Sequence, residues 1–129
     1  IIGFLLRKIN AFPVDRDNPS PSTIKIPVKL LKSKEVVGIF PSGTRNSEGA
    51  TLKRGAVTIA NLSKTPIIPA YYEGPRTLKE LKQMKKATII FGEPIFIQVK
   101  NKDEFALYTE LLNDQTQLLA EKFQKTKHP

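Results

Sequence analysis

The sequence has no cysteine, and its only histidine is His128, one residue from the end. The first absence excludes disulfides, thiolate metal sites and a cysteine nucleophile, and it is compatible with a reducing cytoplasm. The second excludes histidine-based catalysis within these 129 residues, because a solvated tail position gives His128 no role. Also missing is any apolar run of about 18 residues or more, so no spanning helix is expected, and nothing has the layout of a signal peptide. Membrane contact is therefore expected to be peripheral. Residue 1 is isoleucine and the only methionine is Met84, so further chain is expected upstream.

What is present fits one packed domain over residues 1–129: 40% apolar and 26% charged residues, in a length that buries enough surface for one core. Lysine and arginine outnumber the acids 21 to 12, a net charge of +9, which favours anionic partners. Nucleic acid, anionic lipid headgroups and phosphorylated substrates all meet that condition. The seven phenylalanines and three tyrosines lie mostly inside apolar segments and are not interleaved with cations as stacking platforms, which argues against nucleic acid. Binding of a smaller phosphate is the better lead.

Along the chain, Ile2-Gly3-Phe4-Leu5-Leu6-Arg7-Lys8-Ile9 reads as a short helix with a basic end. A turn-rich stretch follows, in which Ser20 or Ser22 is expected to cap a helix through Ile26, Val28, Leu30 and Leu31, with Pro27 tolerated only near its start. The run from Glu35 to Pro41 reads as a buried strand. Residues 56–63 read as a two-turn helix, 66–72 and 87–92 with 94–97 as further strands, and 77–86 as a lysine-rich loop or exposed helix. From Lys102 on, Phe105, Leu107, Tyr108, Leu111, Leu112, Leu118, Leu119 and Phe123 recur at three- and four-residue intervals, an amphipathic helix expected to pack on the sheet. Strands alternating with helices imply an α/β fold: a mixed, partly parallel sheet flanked by helices and closed by the C-terminal amphipathic helix.

The chemistry concentrates after the first of those strands, in Phe40-Pro41-Ser42-Gly43-Thr44-Arg45. A glycine there lets backbone N–H groups approach an anion, Thr44 adds a hydroxyl donor, and the planar fork of Arg45 suits two phosphate oxygens. By residue type it is an oxyanion-binding loop, although a motif this short is weak on its own. It resembles the Phe-Pro-Glu-Gly-Thr-Arg block of the glycerolipid acyltransferase family. Four more blocks fall in the family's order: Ala11-Phe12-Pro13-Val14-Asp15-Arg16, Lys53-Arg54-Gly55-Ala56, Thr65-Pro66-Ile67-Ile68-Pro69-Ala70 and Phe91-Gly92-Glu93-Pro94-Ile95. The resemblance spans about residues 3 to 97.

The resemblance implies part of a glycerol-3-phosphate acyltransferase-like fold, the C-terminal part of a catalytic domain. It also implies an enzyme that moves a fatty acyl group from acyl-ACP or acyl-CoA to 1-acylglycerol 3-phosphate, a lysophosphatidic acid, giving phosphatidic acid for phospholipid biosynthesis. Such an enzyme works at the cytoplasmic face of a membrane and needs neither cofactor nor metal, because the thioester supplies the activated acyl group. The family's base belongs to a His-x-x-x-x-Asp block upstream of everything present here. No catalytic residue is therefore expected in this chain, and the chain alone is expected to be inactive.

By the same resemblance Arg45 holds the acceptor phosphate, with Ser42, Gly43 and Thr44 shaping the loop, and Arg16 is a second phosphate ligand. Asp15 either orients an arginine or closes a turn. Lys53 and Arg54 either attract the anionic headgroup or are solvated surface, and Ile67 and Ile68 line either a core or an acyl channel. Ser42 departs from the family's glutamate, and Asn10 and Pro13 depart from the glycine and aromatic residue of the second block. The apolar and basic N-terminal residues 1–8 read equally as an interfacial anchor or as the cut edge of a domain. Two other functions fit the phosphate loop: glycerol-3-phosphate acyltransferase, and a non-catalytic module that binds anionic lipid or phosphoprotein.

Overall fold

A computed structural model describes residues 1–8, 11, 21–39 and 54–127. They belong to two compact units, Ile1–Val37 and Gly38–Pro129.

In the first unit, α1 (Ile2–Lys8) carries Arg7 and Lys8 in its last turn, where cations oppose the negative end of the helix dipole. Lys8 lies over the Phe4 ring at 5.0 Å, an i, i+4 pairing. Helix α2 (Ser22–Lys32) departs from expectation at both prolines. Its cap is Pro21, with no side-chain cap bond; the Pro21 carbonyl accepts from the N–H groups of Ile24 and Lys25 at 3.3 and 3.1 Å, and Ser22 is already helical. Pro27 sits in the interior and not near the start, where it removes one helical hydrogen bond, and its ring is buried. The helix ends with Lys34 in the left-handed region (φ 64°) and the Glu35 N–H returning to the Leu30 carbonyl at 3.0 Å.

The strand expected from Glu35 does not form over residues 35–39, which have neither helix nor strand pairing, and Val36 is 96% exposed. Phe40 and Pro41 lie outside the described residues. A β-branched apolar run becomes a strand only where a neighbouring chain pairs its backbone, and none of the described residues does so here.

The second unit is a mixed α/β assembly: α3 (Arg54–Ser63), β1 (Ala70–Glu73), α4 (Leu78–Lys82), β2 (Thr88–Phe91) and α5 (Lys102–Lys127). The sheet among the described residues differs from the partly parallel one expected. It has two strands, β1 and β2, paired antiparallel with Ala70 opposite Phe91 and Glu73 opposite Thr88. An isolated antiparallel bridge extends the pairing, with Ile67 and Ile95 exchanging hydrogen bonds of 2.9 and 2.7 Å. Alternation of apolar runs reveals strands, but it does not reveal which strands become neighbours.

Helix α5 packs against α3 and both strands, but of the apolar residues whose spacing predicts it Leu107, Leu111 and Leu118 are exposed. Asn101 caps it by accepting from the Glu104 N–H at 3.1 Å, and the Glu104 carboxylate accepts in return from the Lys100 N–H. The core is Val57, Ala60 and Ile97, surrounded by Ile67, Ile95, Val99, Phe105 and Tyr108. Gly92 lies where the sheet meets α5, and a Cβ there would come within 3.0 Å of the Pro69 ring and 3.1 Å of the Leu119 side chain.

At the other end of α5, Lys127 donates to Glu73 Oε1 at 2.6 Å, Gln124 donates to Oε2 at 3.2 Å, and the Tyr71 and Phe123 rings lie 5.7 Å apart. The Lys127 hydrogen bond is the main reason the Glu73 carboxyl is held below its ordinary value of 4.5. A carboxylate favoured in this way adds stability above the unfolded value and loses it as pH falls through the lowered one. Lys127→Ala is therefore expected to raise the Glu73 titration towards 4.5, read by NMR of its side-chain carboxyl, and to weaken the acid dependence of the α5 C-terminus.

Candidate functional site

The phosphate chemistry anticipated from the motifs falls largely on residues that the structure does not describe. Ser42, Gly43, Thr44, Arg45, Asp15, Arg16 and Lys53 lie outside the described residues, as does His128. What is described is the part of the chain that follows, from Arg54 on. Arg54 opens α3, whose first turn contains no acidic residue.

The helix is fixed in place by its other face. Ala56 and Ala60, four residues apart, are buried with Val57 and Ile59, and the small alanine side chains allow close approach of the packed elements. Ser63 is also buried, donating to the Ile59 carbonyl at 2.8 Å and hydrogen-bonded to the Thr65 hydroxyl. Asn61 is a structural residue that the motifs do not single out. Its Oδ1 accepts from the Val99 N–H at 3.1 Å, tying α3 to the segment before α5, and its one signal in the sequence is a polar amide among the apolar positions of that helix.

The proline-bracketed block behaves as an extended segment, with alternate residues facing opposite ways. Ile67 is half-buried against the core, whereas Ile68 is 54% exposed and is no part of that core. Ile68 shares the outer side with Tyr72, Ile89 and Phe91, all exposed. Among the described residues no group of three or more acidic, histidine or cysteine side chains is arranged to hold a metal ion.

Comparison with known proteins gives this frame a family. The Acyltransferase family model matches residues 1–73, more than half of the chain. A 1-acyl-sn-glycerol-3-phosphate acyltransferase of Bacillus subtilis (strain 168) is 54% identical over 125 residues, covering 94% of this chain and 63% of the relative. One of Streptococcus pneumoniae (strain ATCC BAA-255 / R6) is 40% identical over 119 residues, covering 91% and 44%. The chain thus spans less than two-thirds of the length of these relatives. No solved structure gives a significant match. With Phe40-Pro41-Ser42-Gly43-Thr44-Arg45, Lys53-Arg54-Gly55-Ala56 and the proline-bracketed segment all inside the matched region, the chain belongs to the acyltransferase family.

Proposed function

We propose that this chain is the phosphate-binding part of an enzyme that transfers a fatty acyl group from acyl-ACP or acyl-CoA to 1-acylglycerol 3-phosphate, giving phosphatidic acid. The observation that carries the reading is 54% identity to a relative named for that acceptor, over a segment that includes Phe40-Pro41-Ser42-Gly43-Thr44-Arg45. Lysophosphatidate is preferred over glycerol 3-phosphate as acceptor because both relatives carry the former in their names.

In the reaction, the free hydroxyl oxygen of the acceptor attacks the thioester carbonyl carbon. A carbon–oxygen bond forms, the carbon–sulfur bond breaks, and the hydroxyl proton ends on the departing thiol. The contribution of this chain is positional. Arg45 forks onto two oxygens of the phosphate, and Thr44 and the loop N–H groups donate to the remaining charge. Fixing the phosphate fixes where the attacking hydroxyl sits. The base that receives its proton belongs to the family's upstream His-x-x-x-x-Asp block, so the 129 residues bind without catalysing. In the full fold the two described strands join a larger, partly parallel sheet of the glycerol-3-phosphate acyltransferase type.

The acceptor is itself a lipid, and the chain carries a net charge of +9, so the enzyme works as a peripheral protein at the cytoplasmic face of a membrane. Among the described residues no helix is long and apolar enough to cross one. Incubating the full-length protein with lysophosphatidate and either thioester is expected to yield phosphatidic acid, and the 129-residue chain is expected to yield none. Absence of product from the full-length protein with both donors would remove the reading.

A further inference from the structure

We propose that the excursion between β1 and β2, residues 74–87, is the element that enters an anionic lipid surface. Leu78, Leu81 and Met84 are placed at the acyl-chain boundary, and the cations around them at the headgroup phosphates. The inference rests on the reading of the protein as one that works at a membrane.

The segment has a composition unlike the rest of the unit. Arg76, Lys79, Lys82, Lys85 and Lys86 stand against one carboxylate, Glu80. Among them are three large apolar side chains left in water: Leu78 is 79% exposed, Leu81 61% and Met84 89%. Every residue over 76–87 is exposed except Glu80, which is half-buried. Leaving three such side chains uncovered forgoes the stabilisation that burial gives, which points to a partner that covers them.

The arm is held in shape without that partner. Its two legs meet at the base, where a Cβ on Gly74 would lie 2.9 Å from the Ala87 Cα, and Tyr72 Oη donates to the Pro75 carbonyl at 3.0 Å. Thr77 caps α4 by accepting from the Glu80 N–H at 3.2 Å, while the Glu80 carboxylate accepts from the Arg76 N–H at 2.8 Å. Lys85 approaches the same carboxylate at 3.7 Å, joining the far leg to the near one. The single acid is thus engaged within the arm, and the outward charge is cationic.

An acidic protein would also meet the charge. The bilayer is favoured because cations and apolar groups alternate along the arm, so each apolar side chain has a cationic residue within one or two positions. That pattern suits a boundary where lysine stems lie along apolar matter with their ammonium groups at the phosphates.

The chain has no tryptophan, so a single one reports locally. In the experiment, Leu81→Trp on the arm and Leu107→Trp on the exposed side of α5 are each introduced into the full-length protein. They are mixed with vesicles of phosphatidylcholine alone or with phosphatidylglycerol, each containing brominated lipid. Emission and co-sedimentation are read together, with any upstream tryptophan replaced by phenylalanine. The expected result is a blue shift and quenching at position 81 on anionic vesicles only, and neither at position 107. Leu78→Gln, Leu81→Gln and Met84→Gln together are expected to lower partitioning ~100-fold. Co-sedimentation with unchanged emission from the tryptophan at position 81, or equal changes at positions 81 and 107, overturns the role of the arm and leaves membrane association standing. No co-sedimentation with either vesicle overturns both. Protection of the position-81 reporter by soluble acyl-carrier protein but not by vesicles assigns the arm to a protein partner and overturns the proposal.

Discussion

Replacing Arg45 with alanine in the full-length protein is expected to lower kcat/KM for lysophosphatidate by roughly a hundredfold to ten-thousandfold, mostly through KM, with the acyl donor little affected. The magnitude follows from the two charge-assisted hydrogen bonds of a forked guanidinium–phosphate pair, each worth about 1.5–3 kcal/mol. Because the phosphate is present unchanged in substrate and transition state, most of its binding is uniform and its loss shows in acceptor affinity, while the looser placement of the attacking hydroxyl lowers turnover by a smaller part. Arg45→Lys retains the charge but not the fork and is expected to fall between the two. Initial rates over a range of acceptor concentrations check this. Unchanged constants in Arg45→Ala would remove the residue from the site.

Val57→Asp is expected to have the largest effect on stability. Val57 is fully buried, at the centre of the cluster that joins α3 to Ile97 and the residues packed around it. A carboxylate there has no cation within the cluster, so it either stays charged in apolar surroundings or takes up a proton, and the cost is about 3–5 kcal/mol. That is a large part of the total stability of an ordinary domain, about 5–15 kcal/mol. Val57→Ala removes only two methyl groups and is expected to cost about 1–2 kcal/mol. Denaturant titration of both variants separates the cases. If the aspartate variant unfolds at the wild-type midpoint, the core does not depend on α3.

Much of the second unit is legible from spacing. Apolar residues three and four apart mark α5 and the buried side of α3, and apolar runs mark β1 and β2. Partnership is less legible. The run at 35–39 has the composition of a buried strand but pairs with nothing among the described residues, and the alternation within β1 or β2 does not signal that the two are antiparallel neighbours. Pro27 shows the same limit: its missing N–H argues against a helix interior, yet the ring is buried inside α2. Ile67 and Ile68 look alike by residue type, but an extended backbone turns neighbouring side chains to opposite faces. The loop proposed to bind phosphate, Ser42–Arg45, is a proposal from residue types in order and lies outside the described residues. Exposure adds what letters do not carry: the lysine-rich segment 77–86 holds three uncovered apolar side chains.

The proposed function stands on the grip of this chain on the phosphate of a lipid acceptor. The most direct measurement compares the full-length enzyme acting on 1-acylglycerol 3-phosphate and on the 1-monoacylglycerol of the same chain length, with one acyl donor. A preference of roughly a hundredfold or more in kcat/KM for the phosphorylated acceptor, largely erased by Arg45→Ala, is the predicted result. Equal rates on the two acceptors, or a preference that survives the substitution, would contradict it.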